Sequence, residues 1–264
     1  MTEPNMVPVS KSSSFFQSLR APENSMTSAP SKWNVLVYGP LNTGKTTFLT
    51  TFPRPIVIAS FEPNGASSIR HQLAASDGQI IVVNRTERDS GTTPTAYLNL
   101  LNLMKAFANG PDKEIGTFCI DGFTLLAEAI LTAVCVEKNH ETPSQPDYLV
   151  QLNRVKALIK LGLNLACNFA VTAHESIYSD PNLGIFTRSI LASPSIQAWL
   201  PSVFDEVYYA NRSKQEYKLV TRSNGEVIAR SRLGAGNVFD NVENPDFMAL
   251  LTKANATQQH KANV

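Results

Sequence analysis

The apolar run WNVLVY, Trp33 to Tyr38, opens directly into GPLNTGKT, Gly39 to Thr46. That octapeptide fits the pattern G-x-x-x-x-G-K-[S/T], which constrains the fold as well as the chemistry. Gly39 and Gly44 permit a tight backbone path, and successive backbone N–H groups with a helix start surround phosphate oxygens. A strand must lead in and a helix must lead out, near Lys45, so the chain contains a strand–loop–helix unit of a parallel sheet. Lys45 is expected to reach the β and γ phosphates, and the Thr46 hydroxyl to coordinate Mg2+. The cradle comprises Gly39, Pro40, Leu41, Asn42, Thr43, Gly44, Lys45, Thr46 and Thr47. Its expected ligand is a nucleoside triphosphate, ATP with Mg2+.

The rest of the chain keeps the same alternation. Pro55–Ser60, Gln79–Val83, Thr117–Ile120 and Phe169–Ala173 read as apolar strands, with helical spacing over 97–108, from about 125, and over 148–165. Near-continuous apolar strands alternating with helices predict an α/β fold, a mostly parallel sheet buried on both faces. The 264 residues are 43% hydrophobic, enough for one sizeable core. Residues 32–252 are assigned to that domain. Residues 1–31 are rich in Ser and Pro and read as a disordered arm, except for the apolar cluster Phe15, Phe16 and Leu19. That cluster is read as a docking motif or a fold-back onto the domain. From Lys253 to Val264 the polar composition predicts a flexible tail.

A loop of this kind needs a carboxylate for Mg2+, and Asp121 ends the strand TFCI, where such a group belongs. Its other use is to cap the next helix. Hydrolysis also needs a base or a water-orienting group. The residue after Asp121 is Gly122, so the frequent Asp-Glu pair is absent, and Glu62, just past PIVIAS, is the candidate. If that strand neighbours the Asp121 strand, Glu62 faces the γ phosphate. Otherwise it is a surface residue before a turn. His174 ends the strand FAVTA, where it would touch the γ phosphate and feel its loss or else be a satisfied strand-end residue, and the segment 176–195 after it reads as a loop that nucleotide state would move, or a passive connection.

Ser223-Asn224-Gly225 between Tyr217–Thr221 and Glu226–Arg230 predicts a hairpin. The region 212–232 holds six basic residues, Arg212, Lys214, Lys218, Arg222, Arg230 and Arg232, against two acidic ones. Arg230 and Arg232, two apart, share a strand face. Three uses stay open: a cation supplied to a neighbouring subunit's nucleotide, contact with DNA phosphates, or a solvated edge strand. The formal net charge of +1 steers no partner by itself. Cys119, Cys135 and Cys167 lack metal-ligand spacing and read as buried free thiols of a reducing compartment. No apolar run approaches the ~20 residues of a membrane span.

The segments GPLNTGKTT, FEPNG (Phe61–Gly65), CIDGFTLL (Cys119–Leu126) and VTAHE (Val171–Glu175), with the basic hairpin and NPDFMALL (Asn244–Leu251), resemble the RecA-like core ATPases. They look most like the phage-encoded members that act in single-strand annealing, over about residues 33–251. The resemblance implies ATP hydrolysis, homo-oligomerisation and single-stranded DNA binding in phage recombination, repair or replication. A single-strand binding protein is a possible partner, and the setting would be the host cytoplasm. By that resemblance Glu62 matches the catalytic glutamate, Asp121 the Mg2+-binding aspartate and His174 the polar sensor. Arg230 and Arg232 match cations offered across a subunit interface. Two rival functions are a nucleotide or small-molecule kinase, which would need an Arg-rich lid that the sequence does not reveal, and a non-hydrolysing ATP-dependent assembly protein.

Overall fold

The computed structural model describes residues 32–84, 94–109, 115–180, 185–235 and 237–262. The segment before Lys32, with Phe15, Phe16 and Leu19, lies outside the described residues. The first strand, β1 (Asn34–Gly39), is followed by helix α1 (Lys45–Leu49), β2 (Ile56–Ser60), α2 (Arg70–Ala74) and β3 (Ile80–Asn84). Next come α3 (Ala96–Asn109), β4 (Thr117–Asp121), α4 (Phe123–Glu137), α5 (Gln145–Leu163) and β5 (Asn168–Asp180). The chain then runs through β6 (Ile185–Ile190), α6 (Pro194–Trp199), β7 (Glu206–Ser213) and β8 (Glu216–Val220). It closes with β9 (Arg230–Ser231), β10 (Val242–Glu243) and α7 (Phe247–Ala262).

The sheet order is β10-β8-β7-β1-β5-β4-β2-β3, with β6 on β5 and β9 on β7. Pairing is parallel from β7 through β1, β5, β4 and β2 to β3, and antiparallel at β8, β10, β6 and β9. The fold is therefore α/β, with a mostly parallel sheet flanked by helices. Side chains alternate across each strand, so β1 serves two cores at once. Leu36 and Tyr38 pack with Leu100, Met104, Leu126, Ile130, Val155 and Leu158 of α3, α4 and α5. Val35 and Val37 pack on the other face with Phe48, Leu49 and Phe52 after the glycine loop and with Phe247 and Leu250 of α7. Helix α5 starts at a capping box in which the Ser144 N–H donates to Asp147 Oδ2 at 2.8 Å.

Three expectations are corrected here. The segment after His174 is not a loop at its start: β5 continues to Asp180 and pairs antiparallel with β6, Ile177 opposite Arg188 and Tyr178 opposite Thr187. The Asn224-Gly225 turn does not join two halves of a hairpin. The strand β8 pairs instead with β7 across the turn at Lys214, and Asn224 Oδ1 accepts the N–H groups of Glu226 and Val227. Local turn chemistry was correct, but β7 is the longer and more buried partner and wins the pairing. Finally, the C-terminal segment is helical to Ala262. Ala254 is buried, and the Lys253 ammonium bridges Asp240 and Glu243, so this polar helix is held by contacts remote in sequence.

Candidate nucleotide-binding site

The glycine loop leaves the carboxyl end of β1, in the middle of the sheet, where parallel strands open a crevice. Asn42 and Gly44 take left-handed conformations, with φ of 60° and 77°. Gly44 caps α1, and the Thr43 hydroxyl donates to Pro40 O at 2.9 Å, closing the loop on itself. The Lys45 ammonium donates to the carbonyls of Gly39 (3.0 Å) and Pro40 (2.6 Å). Burial pushes its pKa down, opposed by the charges of Asp121, Glu62 and Glu175, so an incoming polyanion meets a partly desolvated cation. The loop walls a cavity of about 310 Å³ that also takes in Glu62, Asn64, Asp121, Thr172 and His174.

Asp121 sits at the floor, 2% exposed. The Thr46 hydroxyl donates to its Oδ2 at 3.0 Å, and the Thr172 hydroxyl to its Oδ1 at 2.6 Å. Thr172 in turn accepts the Gly122 N–H at 2.8 Å. Burial raises the Asp121 pKa, and the two hydroxyls pull it back towards the charged form. Thr46 and Asp121 thus stand side by side as hard oxygen donors, the chemistry Mg2+ selects. Among the described residues no cluster of three or more acidic, His or Cys side chains forms a cation cage.

Glu62 arrives from β2, which is paired with β4 so that Ser60 lies opposite Asp121. The neighbour relation on which its role depended is therefore present. Gly122 makes room for it: a Cβ there would sit 3.0 Å from Glu62 Oε1, and its φ of 96° is left-handed. The missing Asp-Glu pair has a steric explanation, because the carboxylate from the adjacent strand occupies the space a side chain at 122 would need. His174 Nε2 lies 2.8 Å from Glu62 Oε1. That hydrogen bond is the main reason the Glu62 pKa lies below its ordinary value, against a smaller opposing effect of burial. His174 Nδ1 is buried with no hydrogen-bond partner among the described residues.

The backbone of His174 is anchored through Thr124, whose hydroxyl accepts the His174 N–H at 3.2 Å and donates to Leu191 O at 3.1 Å. Next along β5, Glu175 pairs with Arg188 at 3.1 Å and accepts the Tyr209 hydroxyl at 3.0 Å. The strand that carries Thr172 and His174 therefore runs unbroken from the cavity into the β5–β6 ribbon. Thr172 was not singled out from sequence, and Gly122 only as the residue that leaves the Asp-Glu pair absent. A hydroxyl inside the otherwise apolar FAVTA was the available signal.

Arg230 and Arg232 are not brought to this cavity. Arg230 pairs with the start of β7, opposite Val207, and Arg232 follows just past the end of β9. Val207 is level with Leu36, so Gly39 is three residues further along β1, roughly 10 Å, and neither arginine lines the cavity. The Arg230 guanidinium donates to the carbonyls of Pro201, Ser202 and Phe204, and Arg232 pairs with Asp205 at 2.8 Å. Beneath them the buried Glu206 carboxylate accepts the N–H groups of Arg232 and Leu233 and the hydroxyls of Ser231 and Tyr208. Within the protomer, Arg230 holds a chain reversal together. Its guanidinium is engaged, contrary to the expectation of a cation free on a hairpin face.

The AAA-domain family model (AAA_24) matches residues 31–233, most of the chain. The chain belongs to the AAA-domain family. Membership makes it a P-loop ATPase domain, the class to which the cavity geometry already pointed. No curated protein sequence matches this AAA-domain chain. Among solved structures it is similar to the assembled ATPase EscN, in complex with its central stalk EscO, of the enteropathogenic E. coli type III secretion system. There the TM-score is 0.50 and the identity 10%, over 89% of this chain and 53% of that one. A second structure of assembled EscN aligns with a TM-score of 0.49 at 13% identity, over 80% of this chain and 46% of that one. The AAA-domain chain thus spans about half the length of these proteins, and the likeness concerns the fold. No helix among its described residues is long and apolar enough to cross a membrane.

Proposed function

We propose that this AAA-domain protein hydrolyses ATP in the cavity beside Gly39–Thr47, and that it does so as a homo-oligomer acting on single-stranded DNA in phage recombination, repair or replication, in the host cytoplasm. The observation that carries the chemical part is the convergence of Lys45, Thr46, Glu62, Asp121 and His174, from four separate segments, on one cavity. Lys45 and the loop N–H groups bind and orient the β and γ phosphates. Mg2+, held by Thr46 and Asp121, would neutralise charge on the transferring phosphoryl group. Glu62 accepts a proton from, or orients, the attacking water, and its lowered pKa keeps it in the acceptor form at neutral pH. His174 contacts Glu62 before the reaction and reports the state of the phosphates along β5.

The DNA and assembly parts rest on the resemblance to RecA-like annealing ATPases and on exposed cations of the β7–β8 hairpin, Arg212 and Lys214. One experiment tests the whole reading: ATP turnover of wild type, Lys45→Ala and Glu62→Gln, across protein concentration, with and without single-stranded DNA. Lys45→Ala should lose binding. Glu62→Gln should bind ATP and turn over ~10²–10⁴-fold more slowly. Wild-type turnover should rise with protein concentration and with DNA. Unchanged turnover in Glu62→Gln would assign the base elsewhere, and indifference to DNA would remove the DNA role.

A further inference from the structure

The glycine loop, Thr46 with Asp121, and Glu62 with His174 account for phosphate, cation and base at the cavity. The stretch that follows Glu62 also walls it, and Asn64 is the polar side chain of that stretch closest to the carboxylate in sequence. Chain geometry ties the two together. The Gly65 N–H donates to Glu62 O at 3.1 Å, closing a β-turn with Pro63 and Asn64 at its centre. Asn64 takes φ 55° and ψ 24°, the left-handed conformation that Asn and Gly adopt most readily. Gly65 leaves no room for a side chain: a Cβ there would lie 2.6 Å from Ser60 Oγ and 3.1 Å from Glu62 Cβ. Asn64 also occupies the cap position of a 3-10 helix, Gly65–Ile69, and its carbonyl accepts the Ser67 N–H at 2.9 Å. An asparagine at such a position commonly turns its side-chain oxygen back onto the helix N–H groups. Here no side-chain cap bond forms, and the residue stays exposed at the cavity wall.

Hydrolysis needs more than a base on that side of the cavity. The water oxygen forms a bond to the γ phosphorus as the bond from phosphorus to the bridging oxygen breaks, its electron pair leaving on ADP. One water proton passes to Glu62, and the other stays on the new phosphate oxygen. A single contact to a carboxylate leaves the water free to turn about that hydrogen bond, whereas a second acceptor for the remaining proton fixes the line of attack. We infer that Asn64 is a second water-orienting group of this ATPase, its side-chain carbonyl accepting from the attacking water while the turn keeps it in step with Glu62. The inference rests on the reading of Glu62 as the base. A neutral amide suits the place. It offers an acceptor without adding negative charge to a cavity that already holds Glu62 and Asp121 and must admit a triphosphate. In the sequence Pro63-Asn64-Gly65 reads as a turn and nothing more. The idle cap and the cavity wall give its asparagine a use beyond the turn.

The test compares ATP turnover, ATP binding with Mg2+ and thermal melting of the full chain in wild type, Asn64→Gly, Asn64→Ala, Glu62→Gln and the Glu62→Gln/Asn64→Gly double variant. Glycine accepts a left-handed turn at least as well as asparagine, so Asn64→Gly deletes the amide and spares the backbone. It should melt and bind ATP as wild type does, keep KM, and lose about 10- to 100-fold in kcat, the range of one hydrogen bond made in the transition state. Asn64→Ala should show the same kcat loss with a lower melting temperature, because its backbone is strained. If the residue serves only the turn, Asn64→Gly turns over like wild type and Asn64→Ala alone is impaired, and that pattern overturns the assignment. In the double variant the two losses should not multiply, because both groups act on one water; full multiplication would overturn it equally. Wild-type turnover in Asn64→Gly removes Asn64 and leaves Glu62 standing. Wild-type turnover in Glu62→Gln removes the Glu62 reading and this inference with it.

Discussion

Thr172→Val removes one hydroxyl from the floor of the cavity and little else, since the two side chains have nearly the same shape. Thr172 makes two buried hydrogen bonds, donating to Asp121 Oδ1 at 2.6 Å and accepting from the Gly122 N–H at 2.8 Å. Loss of the first takes a donor from a carboxylate that is 2% exposed, at a cost of ~1.5–3 kcal/mol for a bond to a charged group. Loss of the second leaves a buried backbone N–H without a partner, ~1–3 kcal/mol. Partial relaxation brings the expected total to about 2–5 kcal/mol, which for a domain of this size lowers the melting temperature by roughly 5–20 °C. The sign for function follows from the same bonds. Burial already raises the Asp121 pKa, and removing a hydroxyl that lowers it raises it further, so a larger share of Asp121 is protonated and unfit to hold a cation. Differential scanning calorimetry of Thr172→Val and Thr172→Ser, with Mn2+ binding followed by electron paramagnetic resonance in the presence of nucleotide, reads both effects. Thr172→Ser should restore most of each. A Val variant that melts within ~2 °C of wild type and binds Mn2+ equally would refute the positioning role.

Gly122→Ala adds a Cβ 3.0 Å from Glu62 Oε1 at a φ of 96°. It should cost ~1–2 kcal/mol in stability from the left-handed backbone and slow hydrolysis by at least tenfold with ATP binding retained. Retained turnover would show that Glu62 does not need its present position. For His174→Ala, side-chain carboxyl NMR titration should find the Glu62 pKa below 4.5 in wild type and higher in the variant, because the His174 hydrogen bond is the largest cause of the lowering. A carboxylate depressed in the folded state adds stability that is complete above its unfolded pKa and lost as pH falls through the folded value. The variant should therefore lose less stability than wild type on acidification below about 4.5. Identical Glu62 titration in both proteins would place the cause of the lowering elsewhere.

The local part of the site was legible from residues adjacent in the chain. A strand, two glycines, a lysine and a threonine within one octapeptide specify a phosphate cradle by backbone geometry alone, and apolar runs buried on both faces announce the parallel sheet. The expectations that the structure corrects share one physical cause, that pairing partners are chosen by burial over long sequence separations. Asn224-Gly225 is a sound turn, yet β8 goes to β7, and the tail beyond Lys253 stays helical because Phe247 and Leu250 pack under β1 and α1. Glu62 was recognisable only as conditional on which strand lay beside β4. The register that sets Ser60 opposite Asp121, and Gly122 without a side chain, turned that condition into a contact. Arg230 and Arg232 show the reverse: two cations at strand spacing look available in the sequence, and the fold spends one on three carbonyls and the other on Asp205. Residues adjacent in the chain specify chemistry confined to one turn of it. Which carboxylate and histidine meet that turn was decided by the order and register of the strands, since those alone set distances between residues far apart in the chain.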